Sequence, residues 1–229
     1  MSPHVRQRVL VAVAAILTGI SLLPAGHRPF AAPRAPEARE YAPFARSVVA
    51  SAPGLPAYAR DAHARMRQQF DSVNAMWEGA YRATGDEFER PALTPPEQPC
   101  GSPGGGWAGL YCGRDARITI DLAGHLARHS RVGQAISDVI LGYVVAHEVG
   151  HHVQALRHAP EDVLRRELHA QCLAGVWGRA ANMPLPPTWV YGEDSEHGSR
   201  VQQIQWLNVG YRSGRPSDCD TIWSTSTSP

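Results

Sequence analysis

The stretch VVAHEVGHHV (144–153) places three histidines and one glutamate within six positions, with apolar residues on both sides. Imidazoles and a carboxylate are costly to bury unless something pairs with them. His147 and His151 are four apart, and on a helix such residues stand one turn above each other on one face. Two imidazoles set this way can converge on a single ion at about 2.0–2.1 Å. Glu148, beside the first of them, reaches the same space without ligating. Ile140, Val144, His147 and His151 follow at steps of four, three and four. An apolar stripe therefore runs into the histidine pair and turns it inward. A pair of hydrogen-bonded core histidines would fit the same spacing, so the rest of the chain has to decide.

A catalytic zinc needs three protein ligands and one open position. It lowers the pKa of a water in that position to about 7, and a neighbouring glutamate can take the proton as the water attacks a polarised carbonyl. The longer continuation G-x-x-H is absent, because Gln154 and Arg157 stand at its two positions. His152 is rotated by roughly 100° from His151 and does not share its ion. His158 lies on the stripe but about 10 Å along the axis, out of reach unless the helix breaks first. The next helical segment offers Glu167 and His169, which face nearly opposite sides, so only one can serve. Spacing leans towards Glu167 and leaves His169 open.

Composition narrows the alternatives. The formal net charge is +1 over 229 residues, too balanced to suggest nucleic acid as a partner. Every basic residue is arginine, which excludes a phosphate-loop lysine and lysine Schiff-base chemistry. The four cysteines, Cys100, Cys112, Cys172 and Cys219, include no CxxC pair and suit disulfides in an oxidising compartment. At the N-terminus, Arg6 and Arg8 precede VLVAVAAILTGISLL (9–23), the layout of an export signal. We expect residues 1–25 to be a cleaved signal or a retained single-pass membrane anchor, with the body extracytoplasmic in either case. Residues 26–57 are rich in proline and alanine and read as a linker. Residues 58–223 form the folded domain, and 224–229 a disordered tail.

Within the domain, Ala59 to Arg82 carries Met66, Phe70, Val73, Met76, Trp77 and Tyr81, mostly three and four apart, which predicts a core-facing helix. The glycine-rich PPEQPCGSPGGGWAG lacks GK[ST] and reads as a loop. GLYC, GRDA and RITIDL (109–122) predict a short β-hairpin. Helices are expected over about 132–156, 161–179 and 196–213, the last capped by Ser195 and ended by Gly214. The fold class is α+β, mostly helical with a small sheet.

YVVAHEVGHHVQ (143–154), ELHAQCLAGVW (167–177), HGSRVQQIQWLNVGYRSG (197–214) and CDTIW (219–223) resemble blocks of the bacterial neutral zinc metallopeptidase family, as does the CG…YC…ITIDL region (100–122). The resemblance implies a zincin-like domain of the glutamate type. Its zinc ligands would be His147, His151 and Glu167, its general base Glu148, and its substrate a peptide or protein. It suggests that ITIDL is a sheet edge along which an extended peptide lies. It also suggests that His197 stabilises the oxyanion of the tetrahedral intermediate. Tyr191 is a second candidate for that role, and His197 could instead be an ordinary first-turn residue of the last helix.

One position departs from the pattern. Gln171 stands where the resemblance leads us to expect an aspartate that accepts a hydrogen bond from the outer nitrogen of a ligand histidine. A glutamine accepts the bond but brings no charge, which implies a functional but weakened site. A zincin-like domain that holds zinc or peptide without cleaving is the alternative. Pairings Cys100–Cys112 and Cys172–Cys219 fit the resemblance, although four cysteines allow three connectivities.

Overall fold

A computed structural model of the chain describes residues 57–94, 108–129, 131–186 and 194–224. Helix α1 (Ala57–Thr84) buries Met66, Phe70, Val73, Trp77 and Tyr81, the stripe expected from their spacing. It stops where Gly85 adopts φ 80° and the chain turns back, Asp86 N–H donating to the Tyr81 carbonyl at 3.0 Å.

The sheet has three strands, β1 (Ala92–Thr94), β2 (Gly109–Cys112) and β3 (Arg117–Ile120), in the order β1-β3-β2. The expected hairpin is β2–β3, antiparallel with Tyr111 opposite Ile118 and Gly109 opposite Ile120. Strand β1 was not anticipated: three residues carry no readable alternation, and its parallel pairing with β3 is set by a distant segment. It changes one expectation. The ITIDL strand is central, with Leu93 and Thr94 paired to Ile118 and Thr119 on the side away from β2. Among the described residues the open edges belong to β1 and β2, so ITIDL is not the edge for an added peptide.

Helix α2 (Leu122–His129), also unanticipated, follows β3 directly and starts where Asp121 accepts from Gly124 N–H. Helix α3 (Gln134–Leu156) then runs through the middle of the molecule. Every residue from Ile140 to Gly150 is buried, so the helix is enclosed all round instead of presenting one stripe. Helix α1, the sheet and helix α4 (Val163–Ala180) surround it. Two α3 positions touch α4 so closely that a side chain would collide. A Cβ on Gly150 would lie 3.2 Å from Ala170 Cα, and one on Gly142 would lie 2.7 Å from the Trp177 ring. Tyr143 and Trp177 pack edge to face at 5.7 Å.

Helix α4 is capped by Asp162, whose carboxylate accepts from Arg165 N–H at 2.9 Å. Helix α5 (Arg200–Ser213) begins later than expected. Its cap is Ser199, in a capping box with Gln202, and not Ser195. The reason is local. Asp194 takes the backbone N–H groups of Glu196 and His197 into its own turn, and Gly198 at φ 79° redirects the chain before the helix can start. Gly214, at φ 62°, closes the helix as expected. Helices α4 and α5 cross with their backbones touching: a Cβ on Gly175 would sit 2.2 Å from the Leu207 carbonyl oxygen, and one on Gly210 1.9 Å from that of Cys172.

The chain finishes in a short helix α6 (Pro216–Cys219) and a 3₁₀ turn (Asp220–Trp223), fastened to α4 by the Cys172–Cys219 disulfide. Cys100, the expected partner of Cys112, lies outside the described residues, as do Tyr191 and residues 1–56 and 225–229. Among the described residues no helix is long and apolar enough to cross a membrane.

Candidate metal centre

His147 and His151 sit one turn apart on α3, and Glu167 enters from the first half of α4. The close approach of Gly150 to Ala170 is what lets the two helices bring these three side chains together. His147 Nε2 lies 3.0 Å from Glu167 Oε2, His151 Nε2 lies 3.4 Å from the same oxygen, and the two Nε2 atoms are 3.1 Å apart. Among the described residues this is the one group of three or more potential metal ligands that converges. Ligands about 2.0–2.1 Å from a tetrahedral zinc are about 3.3 Å from one another. The three contacts therefore match the edges of such a tetrahedron, and the donor set, two imidazoles and a carboxylate, is one that zinc takes.

The outer nitrogens explain why the inner ones are available. His147 Nδ1 is 3.0 Å from Gln171 Oε1, and His151 Nδ1 is 3.0 Å from Gln154 Oε1. An amide oxygen only accepts, so each ring carries its proton on Nδ1 and turns the Nε2 lone pair towards Glu167. Two lone pairs 3.1 Å apart repel unless a cation or proton lies between them. Burial disfavours charge on His151, but the charge of Glu167, its hydrogen bond and the charge of Glu148 outweigh that and raise the pKa to about 9. Burial wins at His147, whose pKa is lowered despite Glu167. Burial would also raise the Glu167 carboxyl, yet the two imidazoles hold it far below the usual carboxylate range.

Glu148 is 4% exposed, and its carboxylate lies against strand β2. A Cβ on Gly109 would be 2.6 Å from both Glu148 Cγ and Oε1. The glycine is thus a space requirement for the glutamate. His197 stands in the turn before α5, not in its first helical turn, with Nε2 3.7 Å from Glu167 Oε2. Its Nδ1 contacts both carboxylate oxygens of Asp194, at 3.0 and 2.9 Å. The backbone N–H of His197 and then its ring hold the Asp194 carboxyl below its usual range.

The other histidines lie elsewhere. His152 points away from the centre: its Nε2–H donates to the Glu89 carbonyl at 2.6 Å and its Nδ1 accepts from Tyr111 O–H at 3.1 Å. Helix α3 does break before His158, which has φ 52°, but that residue is exposed and outside the cluster. His169 contacts Gln154 and Asp220, on the side of α4 away from Glu167. Sequence reasoning missed Asp194, Gln154 and Gly109. Gln154 carried a signal, since it stands three residues after His151 and so beside it on the helix. Asp194 and Gly109 carried none that could be read without the fold.

A mostly helical α+β domain in which two histidines from one helical turn and a glutamate from the following helix could hold a metal is a zincin-like domain. The family described as "Putative neutral zinc metallopeptidase" matches residues 45–186, and the chain belongs to that family. His197 and Asp220 lie beyond the matched span. The chain is 27% identical over 191 residues to the Escherichia coli (strain K12) protein named "Uncharacterized protein YpfJ", covering 64% of this chain and 66% of the relative. It is 28% identical over 165 residues to the Mycobacterium bovis protein "Uncharacterized protein Mb2605", covering 49% and 54%. The chain thus spans between about half and two thirds of the length of these curated relatives. No solved structure matches it.

Proposed function

We propose that this protein is an exported zinc-dependent metallopeptidase that hydrolyses peptide bonds with Glu148 as general base. The observation that carries the reading is the triangle of His147 Nε2, His151 Nε2 and Glu167 Oε2, with the dimensions of one face of a zinc tetrahedron. Zinc held there would supply Lewis acidity towards a substrate carbonyl and a water. Glu148, next to the first ligand and packed on Gly109, would take the proton of the attacking water and pass it to the leaving amine. His197, with Nδ1 against Asp194 and Nε2 3.7 Å from Glu167 Oε2, would donate from Nε2 to the developing oxyanion. An extended peptide pairing with the open edge of β2 would pass Glu148 at Gly109. Export is supported by the arginine-flanked apolar run 9–23 and agrees with a disulfide at Cys172–Cys219.

A second reading rests on Gln171, the uncharged partner of His147: a domain that holds zinc or peptide without cleaving. Purified full-length protein decides between them. We expect close to one zinc per chain and chelator-sensitive cleavage of unfolded casein. Glu148→Gln should keep the zinc and lower turnover by about 10²–10⁴-fold. Zinc without cleavage in the wild type would leave the second reading, and no zinc would remove both.

A further inference from the structure

Behind His151 a row of polar side chains leaves the centre and ends in the C-terminal turn. Gln154 Oε1 faces His151 Nδ1 at 3.0 Å. The Gln154 amide nitrogen donates to the Arg166 carbonyl at 2.6 Å and lies 3.1 Å from His169 Nδ1. His169 Nε2 is 3.2 Å from Asp220 Oδ1. Asp220 in turn receives both terminal nitrogens of Arg157, each at 2.9 Å. Trp223 packs on the His169 ring at 5.0 Å.

The direction of this row is determined at both ends. A backbone carbonyl only accepts, so the Gln154 nitrogen must face Arg166 and its oxygen must face His151. A carboxylate also only accepts, so His169 carries its proton on Nε2 and offers a bare Nδ1 to Gln154. Every link then has one donor and one acceptor, and the last proton sits on His151 Nδ1. Turning the amide over would set acceptor against acceptor at His169 Nδ1 and at the Arg166 carbonyl, and donor against donor at His151 Nδ1. Gln154 and His169 are buried, so water cannot repair such a mismatch without a structural change. Asp220 follows Cys219 directly, and the Cys172–Cys219 bridge keeps it over α4.

We propose that the chain His151–Gln154–His169–Asp220 makes the C-terminal turn a positioning device for His151, so that the hold on zinc depends on Asp220. Gln154, His169 and Asp220 are positioning residues, acting on the ion through His151. The inference rests on the metal-centre reading above. It adds that a residue outside the family-matched span, Asp220, helps to set that centre.

The test is zinc affinity of the full chain, measured by chelator competition in a double-mutant cycle. Gln154→Leu should weaken zinc by about 10–100-fold, the range for partners that orient ligand histidines. Asp220→Ala, acting from farther away, should weaken it by about 3–10-fold, and Asp220→Asn, which keeps an acceptor for His169, by under about threefold. In the Gln154→Leu background Asp220→Ala should have almost no further effect, since the chain is already cut. A general loss of stability would weaken zinc equally in both backgrounds. Two-bond proton–nitrogen NMR of the wild type should place the His169 proton on Nε2. Equal effects of Asp220→Ala in the two backgrounds, no effect in either, or a proton on Nδ1 would overturn the proposal. If Asp220→Ala does not fold, His169→Phe, which keeps a ring against Trp223, takes its place in the cycle. A wild type that binds zinc while the variants match it defeats this inference alone; a wild type that binds none defeats the metal-centre reading with it.

Discussion

At the scale of single residues, small chemical differences decide how the centre works. Gln171 accepts from His147 at 3.0 Å, as an aspartate would, but without a negative charge to raise the basicity of the ring. Gln171→Asp should tighten zinc by about tenfold and raise turnover. Unchanged zinc affinity and turnover would show that this contact does not tune the ligand. Gly109 acts by having no side chain. In Gly109→Ala the new methyl would need the space of the Glu148 carboxylate. A displacement on the ångström scale should lower turnover by about 10²-fold, while zinc, held by other residues, stays bound. Normal turnover in this variant would mean that Glu148 need not sit where the fold puts it.

At the scale of elements, the helix pair α3–α4 was legible in its types and only partly in its limits. The period of three and four in Ile140, Val144, His147 and His151 is a local signal, and both helices form close to the expected bounds. The α5 start was misplaced because Asp194 draws two backbone N–H groups into a competing turn. The missed α2 leaves a measurable trace. His125 of α2 is buried, with Nε2 3.0 Å from the Ser137 carbonyl in the first turn of α3. Burial, and then the neighbouring His129, push its pKa down to about 4. The unfolded chain, with an ordinary value near 6.5, binds more protons between those limits. The stability contributed by neutral His125 is present above about pH 6.5 and is lost as pH falls towards 4. Denaturant unfolding should therefore show about 1–2 kcal/mol more loss between pH 7 and 5 in the wild type than in His125→Gln. An identical loss in both would mean that the α2–α3 junction does not hold the ring neutral.

At the scale of the whole molecule, the site is held by segments far apart in the chain. The C-terminal turn is fastened to α4 across a sequence separation of 47 residues by Cys172–Cys219. Closing a loop of that length should restrict the unfolded chain by about 4 kcal/mol. The double substitution Cys172→Ala/Cys219→Ala should lower the unfolding free energy by about that amount under oxidising conditions. A loss below about 1 kcal/mol would show that the turn stays docked without the bridge.

The sequence by itself determined what is periodic or adjacent: the α1 stripe, the β2–β3 hairpin, the inward-facing pair His147 and His151, and Glu148 beside them. These follow from helical and strand geometry acting over a few residues. For the third ligand, spacing leaned towards Glu167 but left His169 open, and only resemblance made the first a firm choice. Tertiary structure brought Glu167 to the pair, through the tight crossing at Gly150 and Ala170, and sent His169 to Gln154 and Asp220. It also put β3 between two strands, Asp194 against His197 and Gly109 against Glu148. The physical reason is the same each time: such contacts join residues tens of positions apart, and which partners meet is settled by how helices and strands pack, not by the pattern within any one of them.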